Sequence, residues 1–209
     1  MTTRYFIISF LIFALSACEM PNTETSNTTP LQKKHTTIEE SLRNQFELDI
    51  KHYINSYNVE RWEDVIDMLY PPTYGNKTRD DLITNYVKGK LMGMQRTTNL
   101  KKIEKVNKVV DFKDKMYAKI YYSGDVKVAL SGEMLENKDF VKTNLELSYD
   151  TNDVVFDEKQ NAYLINDAYV AMLAISKKGS NIWQYIEVDK QKEGAFSQII
   201  PEEVLNQLD

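Results

Sequence analysis

Apolar residues recur along this chain in three rhythms, and each change of rhythm marks a change of organisation. From Phe6 to Leu15 they are almost continuous, behind a charged start at Arg4 and ahead of the small residues Ser16 and Ala17. Those are the three parts of a secretory signal. A helix over this run would rise only about 15 Å, roughly half of a ~30 Å hydrocarbon core, so the run is too short to span a bilayer. From Glu19 to Thr37 the sequence EMPNTETSNTTPLQKKHTT is polar and shows no apolar period. It reads as a flexible tether with an end-to-end distance of roughly 25 Å.

A helical rhythm follows. Leu42, Phe46, Ile50, Tyr53, Ile54 and Tyr57 recur at spacings of three and four, which predicts an amphipathic helix starting near Thr37 and closing at Asn58. Thr37 and Glu40 have the spacing of a capping box. Trp62, Val65, Ile66 and Leu69 form one side of a short second helix that Pro71 and Pro72 terminate. Thr78 and Asp81 cap a third, with Leu82, Tyr86 and Leu91 or Met92 as its buried side.

Beyond Thr98 the rhythm shortens to two. Alternation predicts strands over 106–112, 116–122, 125–130, 154–156, 163–165, 169–176 and 181–188, with turns at 111–115 and at Ser123-Gly124. Lys177-Lys178-Gly179-Ser180 reads as a hairpin connection. Phe140 to Tyr149 reads as a helix, and Pro201 opens a last short one. Helices first and antiparallel strands afterwards predict an α+β domain with its helices gathered on one face of the sheet.

Composition narrows the choices. The chain has one cysteine, two histidines and a formal charge of −5, with lysines scattered rather than clustered. That balance argues against nucleic acid, whose binding needs grouped cations to displace phosphate counterions. Leu15-Ser16-Ala17-Cys18 resembles the box of a bacterial lipoprotein signal peptide. The resemblance implies cleavage before Cys18, acylation of its thiol and new amino terminus, and membrane attachment, since two or more acyl chains anchor stably. The expected organisation is therefore a signal peptide at 1–17, a lipidated cysteine and tether at 18–37, and one domain at 38–209 of ordinary single-core size. In that resemblance Glu19 points to the outer membrane of the envelope, because some inner-membrane lipoproteins carry Asp there.

Within the domain, Ile54-Asn55-Ser56-Tyr57-Asn58 followed by Arg61-Trp62-Glu63-Asp64 and ending in Leu69-Tyr70-Pro71 resembles the opening of cone-shaped domains related to nuclear transport factor two. The late runs Met172-Leu173-Ala174-Ile175 and Trp183-Gln184-Tyr185-Ile186 extend the likeness over most of 38–190. Arg61 departs from it, because many relatives have Asp before the tryptophan. The resemblance implies helices on a curved antiparallel sheet, with a cone between them that in some relatives holds Asp, His or Tyr as acid and base.

The residues themselves show little catalytic machinery. His35 lies in the tether, and His52 lies off the apolar stripe of the first helix. Asp150-Thr151-Asn152-Asp153 begins like a calcium loop, then places Val154 where an oxygen ligand belongs. No zinc shell, phosphate loop or nucleophile elbow is present, so no metal or cofactor is expected. The candidate ligand-binding residues are the aromatics Trp62, Tyr122, Trp183 and Tyr185, whose polar tips can orient a ligand in an apolar pocket. They serve equally as core packing. The sequence thus predicts an anchored envelope lipoprotein that binds a small ligand, or a protein partner or second copy through the sheet face the helices leave open. The alternative is an acid–base enzyme using a Tyr and a carboxylate in the cone.

Overall fold

A computed structural model describes residues 31–188 and 198–208. The expected signal peptide, Cys18 and most of the tether lie outside the described residues. The first helix, α1, runs Leu31–Asn58, starting six residues before the Thr37 cap. Gln32, Lys33 and Lys34 are good helix formers behind Pro30, so nothing local stops the helix from beginning early. Its apolar stripe is as expected: Phe46, Ile50, Tyr53 and Ile54 are buried. His52 is exposed. Helix α2 (Trp62–Met68) ends before a 3-10 turn at Pro71–Tyr74. Helix α3 (Arg79–Leu91) opens with the reciprocal Thr78–Asp81 capping box. Its expected side is only half-buried: Leu82, Tyr86 and Met92 are partly covered, no α3 residue is fully buried, and Leu91 is 79% exposed.

The sheet contains β1 (Met94–Val106), β2 (Val110–Phe112), β3 (Lys115–Leu130), β4 (Val154–Asp157), β5 (Ala162–Lys177) and β6 (Gln184–Glu187). Helices α4 (Gly132–Glu136) and α5 (Lys138–Tyr149) lie between β3 and β4, and α6 (Glu202–Leu208) closes the chain. All strand pairings are antiparallel. β3 and β5 pair along almost their whole length; β1 and β2 share the far edge of β3, and β4 and β6 share the far edge of β5. The α+β class therefore holds, with four corrections to the strand pattern. β1 was not expected before Val106, and the strand expected over 106–112 is interrupted at Asn107–Val109. Ser123-Gly124 is not a turn but the middle of β3, and the two strands expected at 163–165 and 169–176 are one.

The reason for the last two lies in a bulge. Between Gly124↔Ala168 and Val126↔Ile165, β5 spends one residue more than β3. Asp167 takes up the excess at φ 53. The insertion bends the strand and flips its alternation. Tyr163 and Ile165 face the helices before the bulge; Ala168, Met172 and Ala174 do so after it. Gly124 is required here for a different reason from turning: a Cβ would lie 2.7 Å from the Asn99 carbonyl oxygen.

The bend divides the helix-bearing face into two apolar clusters. One packs α1 and α2 on Ile103, Ala118, Ile120, Tyr122, Met172 and Ala174. The other packs Val141, Leu145 and Tyr149 of α5 on Val126, Val128, Tyr163 and Ile165. A third lies on the opposite face, where Val204 and Leu208 of α6 cover Tyr117, Leu173, Ile175 and Ile186. The face expected to stand open is thus closed over one half by the chain's own last helix. Among the described residues β1 pairs only with β3, and that ladder is broken by irregularities at Leu100/Lys102 and Ile103/Lys105.

Candidate functional site

Where the two inner clusters meet, seven elements bring polar and aromatic side chains together. Arg96 projects inward from β1, sharing that side with Met94, and Glu187 from β6, sharing its side with Tyr185. Arg96 Nη2 lies 3.2 Å from Glu187 Oε1, and both side chains are only 14% exposed. The Tyr53 hydroxyl on α1 donates to the same oxygen at 3.1 Å. The Arg96 guanidinium lies over the Tyr57 ring, 4.5 Å from its centroid. Tyr57 in turn meets Trp62 of α2 and Tyr86 of α3 edge-on, while Trp62 and Tyr86 stack at 5.0 Å with a 3° interplanar angle. Tyr122 on β3 and Tyr149 on α5 complete the surround: Glu187 and Arg96 act electrostatically on both.

The electrostatics follow from burial. Desolvation, reinforced by the Glu187 charge, holds the Tyr53, Tyr86 and Tyr122 hydroxyls well above their usual range. Tyr149 is pushed up to about 12 by burial, with Arg96 pulling the other way. All are therefore neutral phenols at physiological pH, able to donate hydrogen bonds. Burial works against the charge on Arg96, but Glu187 and the surrounding tyrosines outweigh it and keep the guanidinium protonated. One donor is left over: Arg96 Nε is buried and has no hydrogen-bond partner. An unmade bond on a buried donor costs about 1–3 kcal/mol, more for a charged group, so such a group demands an explanation.

Of the four expected ligand-binding aromatics, the structure brings two to this cluster. Trp62 is half-buried in the Tyr57–Tyr86 stack, and Tyr122 is buried beside Glu187. Trp183 instead packs edge-on against Phe46 at 5.0 Å. Tyr185 donates to Asp49 Oδ2 on α1, and burial followed by that bond raises its hydroxyl. Both of these belong to the packing between α1 and the sheet. A separate groove of about 360 Å³ opens near the bulge between Asn58, Thr98, Asn99, Asp125 and Asn166, and none of the four lines it. No group of His, Cys, Asp and Glu among the described residues is arranged to hold a metal ion.

Arg96 and Glu187 were missed for different reasons. Arg96 sits on a strand whose alternation is masked by polar residues on both sides, Gln95, Thr97, Thr98 and Asn99. Glu187 was within reach: extending the Trp183, Tyr185 alternation one step places a carboxylate on the inward side of β6.

No family model matches this chain, and no curated protein matches it. Among solved structures, it is similar to a candidate dehydratase from the NTF2-like family of Streptomyces avermitilis, at 9% identity and a TM-score of 0.36. That alignment covers 70% of this chain and 92% of the other.

Proposed function

We propose that this protein is a membrane-anchored envelope lipoprotein whose cone-like domain binds a small anionic ligand between the helices and the sheet. The observation that carries the ligand is the unpartnered Nε of Arg96, a charged donor held in a ring of neutral tyrosine donors. A carboxylate-bearing ligand with a flat apolar body fits that chemistry, since the tyrosines bind acceptors and the rings supply apolar surface. A protein partner or second copy on the outer sheet face is the weaker occupant, because α6 already covers half of that face.

Binding is tested on the full chain with benzoate as the probe, titrated against Trp62 fluorescence in a Trp183→Phe background. Saturable binding is expected, with Arg96→Met weakening it by about tenfold or more. Absence of saturation, or equal affinity in the variant, removes the ligand assignment. The anchor is tested separately through the Leu15-Ser16-Ala17-Cys18 box. Wild type is expected to incorporate radioactive fatty acid and Cys18→Ala to incorporate none; equal labelling would overturn it. Wild type fractionating with the inner membrane would overturn the outer-membrane placement.

The acid–base enzyme is favoured by one observation, the Tyr53 hydroxyl seated on the Glu187 carboxylate. There Tyr53 would be the acid and Glu187 the base. Glu187→Gln separates the readings. A binding domain keeps or tightens its hold on an anion when a competing carboxylate is neutralised. An enzyme relying on that base loses about 100-fold or more in turnover.

A further inference from the structure

The charges of this domain are segregated along the length of its sheet. Residues 105–119, which form the β1 end, β2 and the start of β3, carry five lysines and two aspartates. Lys177 at the end of β5 and Lys178 just after it, in the β5–β6 connection, lie at the same end, because Lys115 pairs with Lys177. The opposite end is built from 131–159, where eight acidic residues face three lysines. β3 alone spans 16 residues, so the two poles stand about 50 Å apart.

The basic end has a further character. Lys105, Lys108, Lys113, Lys177 and Lys178 are exposed. Ile182, in the same β5–β6 connection, is 77% exposed. Asp111 offsets part of the charge through a 2.8 Å pair with Lys178, and α6 brings Glu202 and Glu203 to the outer face. A large apolar side chain held among lysines is the composition of a surface that meets lipid headgroups: cations for anionic phosphates, an apolar group for the acyl boundary.

The path of the chain points to the same end. Asn58, at the close of α1, bonds the Thr98 backbone, whereas Arg43 reaches the Ile103 carbonyl and Phe46 packs on Trp183 beside Ile182. α1 therefore runs backwards toward the lysine-bearing hairpins, and a further 12 residues to Leu31 carry it about 18 Å past Arg43. That first stretch of α1 carries Lys33 and Lys34 balanced by Glu39 and Glu40, so the basic character of this end comes from the hairpins. Twelve residues separate Leu31 from Cys18, a reach of about 40 Å when fully extended. The end from which the chain leaves for its anchor is the basic one.

We infer that the basic hairpin end, with the exposed Ile182 in its β5–β6 connection, is a docking surface for an anionic lipid bilayer. The domain stands end-on against the membrane that holds its anchor, with its acidic pole outward. This rests on the lipoprotein reading for the presence of that membrane.

The test uses the acylated full chain with one added cysteine, Ile182→Cys or Val155→Cys, labelled with bimane and reconstituted into vesicles. Flotation with neutral phosphatidylcholine vesicles reads the anchor alone, so loss of the anchor and loss of docking are distinguishable. In vesicles with about 30% phosphatidylglycerol, brominated lipid is expected to quench the label at 182 about threefold more than at 155. Raising salt to about 0.5 M, or combining Lys113→Glu with Lys177→Glu, is expected to abolish the difference while leaving flotation and the thermal midpoint unchanged. Equal quenching at 182 and 155 overturns the proposal. So does quenching at 182 that is the same in neutral and anionic vesicles.

Discussion

Removing either partner of the Arg96–Glu187 pair leaves the other as an uncompensated charge in a nearly dry site, which costs far more than the pair contributes. Arg96→Met is expected to lower stability by about 3 kcal/mol in urea unfolding, and Glu187→Met by a similar amount. The double variant should cost clearly less than the sum, because neither charge is then orphaned. Additive losses would show that the two side chains do not act as a pair. At this scale the sequence was only partly readable. Trp62 and Tyr122 could be picked out because large aromatics near a helix start or in a strand are visible by type alone. Arg96 could not, since an arginine among polar neighbours reads as solvated until β6 and the helices packed on the sheet exclude the water.

Helix α3 is held differently from its neighbours. Its apolar contact runs through half-buried side chains such as Tyr86, and its ends are held by charge: the Thr78–Asp81 box, the Arg79–Asp67 pair and Lys90 on Glu60 at 2.6 Å. The Thr78 backbone bond lowers Asp81, and the Arg79 hydrogen bond lowers Asp67. A lowered carboxyl contributes stability that is complete above its unfolded value, about 4, and is lost as pH falls through the lower folded value. α3 is therefore expected to open first on acidification. Hydrogen exchange, corrected for intrinsic rates, should show α3 amides losing protection below pH 4 while β3 amides keep theirs; equal protection at pH 3 would count against this. Helices with a clear 3.6 period or a cap, α1, α2, α3 and α5, were legible. The long strands were not. A glycine inside an alternating run has two meanings, a turn or a close backbone approach, and only the Asn99 carbonyl beside Gly124 decides between them.

The three apolar clusters share two strands. β3 supplies Ala118 and Ile120 to one, Val126 and Val128 to another and Tyr117 to the third, and β5 contributes to all three. No cluster can dissolve without disturbing a ladder that the others need, so the domain is expected to unfold in one transition. Neither chelator nor reductant should move its thermal midpoint, because burial supplies the stability. A drop of several degrees with either would reveal a metal or disulfide contribution. The overall α+β layout was legible from the order of rhythms along the chain. The closure of the outer face by α6 was not, since a seven-residue helix carries no signal of where it docks.

The interrupted β1 ladder bears on what happens when many copies share one surface. A 13-residue edge strand is a template on which another chain can grow a strand, and here Asn58 on the Thr98 backbone and Arg43 on the Ile103 carbonyl cover part of that edge. Attachment to a bilayer would confine such edges to a plane and multiply their encounters. The two irregularities take the β1 edge out of register, and the cations along it are partly neutralised, Lys101 by Asp125 and Asp167 and Lys102 by Glu104. In the anchored protein proposed above, these defects in the ladder would hinder crowded neighbours from polymerising edge to edge.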